Sequence, residues 1–172
     1  ASLAACQTFS QDGGMSVTAD IAGKTLDKDV VAIRSEEDEA AARAKVERLL
    51  KRALTADSAV QIALLNNRGL QATYNELGIA EAIRVQQSLP PNPHFSVTRI
   101  TGSVETEIER QIVASILALA TLPVRSEFAT ERFRQAQLAA ALATLRVAAE
   151  ARRAFYRAVA AQEIVGLFAH AN

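Results

Sequence analysis

The stretch Ser88-Leu89-Pro90-Pro91-Asn92-Pro93 decides how this chain is built, because three of its last four residues are proline. Proline has no amide hydrogen to donate within a helix, and it moves the residue before it away from helical geometry. The long amphipathic helix pattern that precedes this stretch therefore must end at Ser88, Leu89 or Pro90. An extended run follows from His94 to Gly102, and a second long helix pattern resumes near Ser126. The sequence predicts a helix, a short extended hairpin and a second helix.

Composition sets broad limits on fold and function. The chain has 172 residues, of which 49% are hydrophobic and none is tryptophan, and this length predicts one domain or part of one. Its formal net charge is zero, which gives no support for nucleic-acid binding. Alanine, leucine and valine dominate its apolar residues, which favours long helices packed side by side. His94 and His170 lack the spacing of metal ligands, and the sequence has no phosphate-binding glycine loop or nucleophile elbow. We expect a non-enzymatic protein without a metal or cofactor.

The only cysteine, Cys6, follows Leu3-Ala4-Ala5 in a stretch that resembles a bacterial lipobox. A lipobox cysteine becomes the acylated N-terminus, and we expect two acyl chains and an amide-linked one on Cys6. Because Gln7 rather than aspartate follows, the resemblance to lipoproteins favours the outer membrane. An ordinary buried or tail cysteine fits the same residues equally well. Residues 1–34, which have turn formers and no sustained period, are expected to form a lipid-anchor region and an extended tail.

The sequence predicts two helix N-termini in the next region, residues 35–93, which is expected to form periplasmic helices. Ser35, followed by acidic residues, is expected to cap a helix that runs to about Arg52, and Thr55 to cap the next one. The stretch Asn66-Asn67-Arg68-Gly69 predicts a kink or a brief break, because asparagine and glycine tolerate turn conformations. A further helical segment is predicted from Leu70 to Ser88.

Helical spacing divides this last segment into two sets of side chains. The inward candidates are Tyr74, Leu77, Ile79, Ala82 and Val85. The polar residues expected to face elsewhere are Gln71, Asn75, Glu76, Glu81 and Arg84.

Residues 94–122 are interpreted as a membrane β-hairpin whose second half is open to a helical assignment. The run His94–Gly102 has nine residues, and a tilted membrane strand needs about 9–11. Phe95 and Val97 share one face of that strand with Arg99 and Thr101, and a soluble hairpin would show much the same pattern. In Val104–Leu122, alternating glutamates at 105, 107 and 109 suggest a strand, whereas the isoleucine spacing suggests a helix. The apolar run Ile112–Leu122 is too short for a membrane-spanning helix, and Pro123 is expected to end whichever element precedes it.

Residues 123–172 are expected to form one long periplasmic helix, with its pattern running from Ser126 to about His170. Over that range there is no proline, and the length would be about 65 Å. Alanine occurs on more than one face, which suits a helix with neighbours on both sides, as in a tube of helices. The heptad-spaced positions are Leu138, Leu142, Leu145, Ala149, Arg152, Tyr156, Val159 and Glu163.

Several of these stretches together resemble the N-terminal part of a TolC-like outer-membrane factor, the channel of bacterial tripartite efflux pumps. The resemblance covers most of Leu54 to Leu167, and its most specific piece is Leu-Pro-Pro-Asn-Pro at 89–93. The other matching stretches are Leu54-Thr55 with Ala59–Asn67, Gln86–Ser88, Leu119–Pro123 and Ala151–Glu163 with its Phe155-Tyr156 pair.

The resemblance implies a homotrimeric, passive outer-membrane conduit that works with a periplasmic adaptor and an inner-membrane transporter. In that family each protomer gives four strands to a shared barrel and long antiparallel helices to a periplasmic tunnel, in two repeats, and only the first repeat is present here. We therefore expect the chain to be mainly α with a short β-hairpin, and expect the isolated chain to lack channel activity and clear strand structure between Val104 and Leu122. The alternative is a soluble periplasmic helical interaction or adaptor protein.

Overall fold

The computed structural model describes residues 8–101 and 106–170. Along the chain, helices precede and follow one antiparallel β-hairpin. The mainly helical fold with a short hairpin is as the sequence predicts. In chain order the elements are α1 (Met15–Thr18), a π-helical turn (Ala19–Gly23), α2 (Lys24–Leu26), α3 (Glu36–Leu50), α4 (Ala56–Asn66), α5 (Arg68–Gln87), β1 (His94–Thr101), β2 (Thr106–Val113), α6 (Ile116–Ala120) and α7 (Leu122–His170).

The predicted helix starts are confirmed by their hydrogen bonds. The Ser35 hydroxyl accepts from the Asp38 amide at 3.1 Å, and the Asp38 carboxylate accepts from the Ser35 amide at 3.2 Å. The Thr55 hydroxyl accepts a matching bond from the Ser58 amide at 3.1 Å. These side chains satisfy amides that the first turn of a helix leaves without a partner.

The break between α4 and α5 is also confirmed. Asn67 has φ −80° and ψ 106°, which is extended backbone, and its side-chain oxygen accepts from the Leu70 amide at 2.9 Å. One asparagine thus ends one helix and caps the next.

α5 ends just before the proline-rich stretch, one residue earlier than the predicted Ser88, Leu89 or Pro90, whereas Pro123 acts differently from its expected role. α5 ends at Gln87, and Ser88 is its C-terminal cap. Pro123 was expected to end an element, but it is the second residue of α7. The first turn of a helix tolerates proline because the missing amide hydrogen has no helical partner there.

The expectation of an extended tail is wrong for Met15–Leu26, which is helical. Gly13 and Gly14 have positive φ values of 59° and 79°, and this left-handed geometry turns the chain into α1. The Asp12 carboxylate accepts from the amides of Gly14 and Ser16. Thr18 and Ala22 are fully buried, so packing on the rest of the protein supports a helix that has no sustained period of its own.

The expected loss of strand structure between Val104 and Leu122 is wrong as well, because β2 occupies Thr106–Val113. α6 follows at Ile116–Ala120, so this stretch contains both a strand and a helix. Pairing with β1 decides the strand part, since strand formation depends on cross-strand partners more than on intrinsic preference.

α4 and α5 run antiparallel to α7 and pack against it. Three contacts fix their alignment: Ser88 to Ser126 at 3.0 Å, Tyr74 to Thr144 at 2.7 Å and Asp57 to Arg152 at 3.0 Å. The core consists of Met15, Val60, Leu64, Leu70, Tyr74, Leu77, Ala140 and Ala148. Small alanines on α7 let the larger side chains of α4 and α5 approach closely.

Two expected inward positions of α5, Ile79 and Ala82, face outward, and Ile79 is 61% exposed. The buried residues of this helix are Leu70, Tyr74, Leu77, Glu81 and Val85. They follow one another at intervals of three and four, which places them on one stripe and turns Ile79 and Ala82 away from it. Glu81, expected to face elsewhere, is the charged member of that stripe.

The heptad positions predicted on α7 do not form its packed face. Leu138 and Leu142 are 47% and 69% exposed, whereas Ala140 between them is fully buried. Two residues turn a helix by about 200°, so Ala140 faces the opposite side from both leucines. Over its 49 residues, about 73 Å, α7 buries a small-residue face and exposes a larger apolar one.

Candidate membrane hairpin and N-terminal clamp

The hairpin register assigns its side chains to two faces of different character. β1 and β2 pair from His94↔Val113 to Thr101↔Thr106, and directly opposite residues share a face. One face, called here the apolar hairpin face, is made of Phe95, Val97 and Arg99 from β1 with Ile108, Arg110 and Ile112 from β2.

The other face of the hairpin is more polar. It carries Ser96 and Thr98 opposite Gln111 and Glu109, with Ile100 nearer the turn. A strand with one apolar and one polar face is typical of a membrane barrel, whose exterior meets lipid and whose interior meets water. The separation of apolar and polar side chains is incomplete, because Arg99 and Arg110 lie on the apolar hairpin face.

The apolar hairpin face is open to its surroundings. Phe95 is 62% exposed and Ile112 is 72% exposed, and α6 continues the pattern with Ile116 at 81%. A two-stranded hairpin on its own is only marginally stable in water. An exposed apolar surface of this kind marks a site for a membrane or a protein partner.

The N-terminal segment is held against the seam between α5 and α7 by a group that we call the N-terminal clamp, consisting of Glu81, Arg84, Phe133 and Gln137. Glu81 is 1% exposed, and its carboxylate accepts from the Ser10 amide at 2.7 Å. A buried carboxylate is unfavourable unless it is paired or hydrogen-bonded.

Arg84 completes the charged part of the N-terminal clamp. Its guanidinium lies 3.5 Å from the Glu81 carboxylate and 5.2 Å from the centre of the Phe133 ring. It also donates to the Thr8 carbonyl at 3.1 Å. Arg84 is three residues before the end of α5, so Thr8 lies at the end of the helices from which the hairpin emerges.

Gln137 holds the next part of the segment through a side chain that is almost fully buried. Its amide nitrogen donates to the Gly14 carbonyl at 3.0 Å, and its backbone carbonyl accepts from the Thr18 hydroxyl at 3.3 Å. A Cβ on Gly14 would lie 2.6 Å from the Phe133 ring, so only glycine fits there without displacing that ring. The backbone at Gly14 is thus enclosed by α7.

Asp12 stabilises the turn that leads into α1. Burial acts to raise the pKa of Asp12, but hydrogen bonds from the Ser10 side chain and from the amides of Ser16 and Gly14 outweigh it and hold the pKa below its ordinary value. Tyr74 shows the opposite balance, since burial raises the pKa of its phenol more than the hydrogen bond with Thr144 lowers it.

The predicted lipid-attachment residue, Cys6, lies outside the described residues, so its acylation remains a prediction. The members of the N-terminal clamp were not identified from the sequence. One signal in the sequence could have identified Glu81: it lies at a position of the apolar stripe of α5, and a charged residue that is buried there needs a hydrogen-bond partner.

The described residues include neither a candidate membrane-spanning helix nor a candidate metal site. No helix within residues 8–101 and 106–170 is both long and apolar enough to cross a membrane. Over the same ranges, no group of three or more histidine, cysteine, aspartate or glutamate side chains is arranged to hold a metal ion. No protein-family model, curated protein or solved structure matches the chain.

Proposed function

We propose that the chain is part of a TolC-type outer-membrane channel subunit and acts, without catalysis, as a passive conduit for efflux or secretion. The hairpin would supply strands to a membrane barrel, and α3, α4, α5 and α7 would line a periplasmic tunnel. The observation that carries this proposal is the two-faced hairpin, whose apolar face is exposed while the helices beside it have their own core.

The N-terminal clamp supports the proposal independently. It places Thr8 at the hairpin end of the helices, and Cys6 is two residues upstream in the sequence. Two residues span at most about 7 Å, so an acyl anchor on Cys6 would enter the same membrane as the hairpin. This arrangement supports the proposed localisation in the outer membrane and periplasm of a Gram-negative bacterium.

The second apolar face of α7 agrees with a tunnel wall. Phe128, Leu142 and Tyr156 lie on the side away from the core and are 67%, 69% and 59% exposed. In the proposed homotrimer, helices of a neighbouring protomer or of the remainder of the protomer would cover them. The periplasmic adaptor and the inner-membrane transporter would be the other partners.

The same exposed face favours one alternative, a soluble periplasmic helical interaction or adaptor protein. A long helix with heptad-spaced apolar residues is typical of coiled-coil partners. In that case the hairpin would remain in water.

Tryptophan fluorescence distinguishes the two functions, because the chain has no tryptophan of its own. Val97→Trp places a fluorophore on the apolar hairpin face, and Thr98→Trp is the matched control on the other face. In protein extracted from the cell envelope and reconstituted in vesicles, we expect brominated lipid to quench position 97 and aqueous iodide to quench position 98. Iodide quenching of both positions, with no effect of brominated lipid, would reject the channel and favour the soluble alternative.

A further inference from the structure

We propose that Arg99 and Arg110 form a binding pair for the phosphate groups of anionic phospholipids on the apolar hairpin face. This inference rests on the proposed function, since it requires the hairpin to meet a membrane. It adds a lipid-headgroup preference that a simple apolar strand surface would not have.

The register brings the two arginines together. Arg99 is opposite Ile108 and Arg110 is opposite Val97, so the arginines are diagonal neighbours on one face. Diagonal side chains on an antiparallel pair are about 7–8 Å apart at their backbones, which is within reach of one headgroup or of two adjacent ones. Both arginines are exposed.

No carboxylate neutralises the pair within the described part of the hairpin. Neither guanidinium forms an ion pair or hydrogen bond with any side chain described in the ranges 8–101 and 108–169. Glu109 is adjacent to Arg110 in sequence, but successive strand residues point to opposite faces. Within these ranges the pair therefore presents two positive charges without a carboxylate partner, beside exposed aliphatic side chains.

Such charges are unfavourable on a surface that faces lipid, at about 2–4 kcal/mol for an arginine at the bilayer midplane of a membrane barrel. An anionic phosphate removes that penalty, because a guanidinium binds two phosphate oxygens in its planar fork. The long arginine side chain can extend along the apolar surface to place its charged end at headgroup level.

The surroundings favour a phospholipid over a soluble polyanion. Phe95, Val97, Ile108 and Ile112 surround the pair on the same face, and acyl chains would cover them. A nucleic acid or an acidic peptide would leave these apolar side chains in water, which is unfavourable. One amphipathic ligand satisfies both the charge and the apolar surface.

Vesicle flotation tests the pair with the whole chain, produced in the cytoplasm so that Cys6 is not acylated. The vesicles are phosphatidylcholine alone or phosphatidylcholine mixed with phosphatidylglycerol. The test variant is Arg99→Gln with Arg110→Gln, and the matched control is Arg132→Gln with Arg134→Gln, two exposed arginines of α7. Circular dichroism verifies that each variant keeps the fold.

We expect the wild type and the control to prefer the anionic vesicles, and the test variant to lose about thirtyfold in affinity for them while its binding to phosphatidylcholine is unchanged. Equal binding of the wild type to both vesicles, or an undiminished preference in the test variant, would overturn the lipid pair and leave the channel proposal intact. Absence of binding to either vesicle would overturn both. Displacement by inorganic phosphate would instead identify a site for free phosphate and reject the lipid.

Discussion

Similar apolar residues are buried in one region of the molecule and exposed in another. The first region is the seam between α5 and α7, and the second is the β-hairpin. At the seam, Leu77 is 1% exposed and Tyr74 is 2% exposed, whereas Phe95 and Ile112 in the hairpin are 62% and 72% exposed. The helical part thus supplies its own core, while the apolar side chains described in the hairpin are mostly exposed. The difference shows that burial within the chain stabilises the helices far more than the hairpin, which is what the proposed membrane location of the hairpin requires.

The largest effect is expected from the prolines that separate the two regions. Replacing Pro90, Pro91 and Pro93 by alanine removes a helix penalty of about 3 kcal/mol at each interior position, so α5 should continue toward β1. We expect helix content to rise by circular dichroism and assembly of the proposed trimer to fail in the cell envelope. Pro123→Ala is the control, since that proline is already within the first turn of α7. Normal trimers and export in the triple variant would show that the prolines do not separate helix from hairpin.

The second largest effect is expected from truncating a buried side chain of α5. Leu77→Ala removes a buried side chain and should lower the free energy of unfolding by about 2–5 kcal/mol, measured by urea denaturation. Ile79→Ala, two residues away and exposed, should change it by less than about 0.5 kcal/mol. Similar losses in both variants would contradict the assignment of the packed stripe.

The N-terminal clamp should contribute less than the core. Glu81→Gln keeps an acceptor for the Ser10 amide but removes the charge that Arg84 contacts, and hydrogen bonds to charged groups contribute about 1.5–3 kcal/mol. We expect faster hydrogen exchange at Ser10 and earlier proteolysis of the N-terminal segment, with Glu76→Gln, on an exposed position, as the control. Unchanged exchange would mean that Glu81 does not hold the segment.

The single hydrogen bond between Tyr74 and Thr144 should have a smaller effect. Tyr74→Phe keeps the ring and removes the hydroxyl, so we expect a loss of about 0.5–1.5 kcal/mol in the free energy of unfolding. Tyr156→Phe should cost nothing measurable, because Tyr156 is 59% exposed. Equal losses in the two variants would exclude the buried bond as the cause.

The smallest effect concerns pH. The pKa of Asp12 is lower in the folded chain than in the unfolded chain, so the unfolded chain binds more protons as the pH falls. The stabilisation by Asp12 is therefore complete above the unfolded-state pKa and is lost as the pH falls to the folded-state pKa. We expect the stability difference between the wild type and Asp12→Asn to shrink as the pH is lowered from neutral through the ordinary range for aspartate. A difference that does not change with pH would contradict the lowered pKa.

The features that the sequence predicted correctly depend on local chemistry. Three side chains, those of Ser35, Thr55 and Asn67, each accept from the amide three residues further on, and the three prolines between 90 and 93 act on the backbone around them. Such signals need no knowledge of the rest of the fold, and the helix boundaries of α3, α4 and α5 follow from them.

The features that the sequence did not predict depend on distant partners. Met15–Leu26 is helical because α7 covers it, and Glu81 is buried because Ser10 and Arg84 satisfy its carboxylate. On α7, two apolar faces compete, and only contact with α4 and α5 shows that the alanine face is the packed one. The strand at Thr106–Val113 likewise depends on its pairing with β1.

The N-terminal clamp also has a mechanical consequence. If Cys6 tethers the protein, a pull on that tether reaches Thr8 and Ser10 first, and from there it acts on Arg84 and Glu81 near the end of α5. The load therefore enters the antiparallel helix pair at the end from which the hairpin emerges and bypasses the loops.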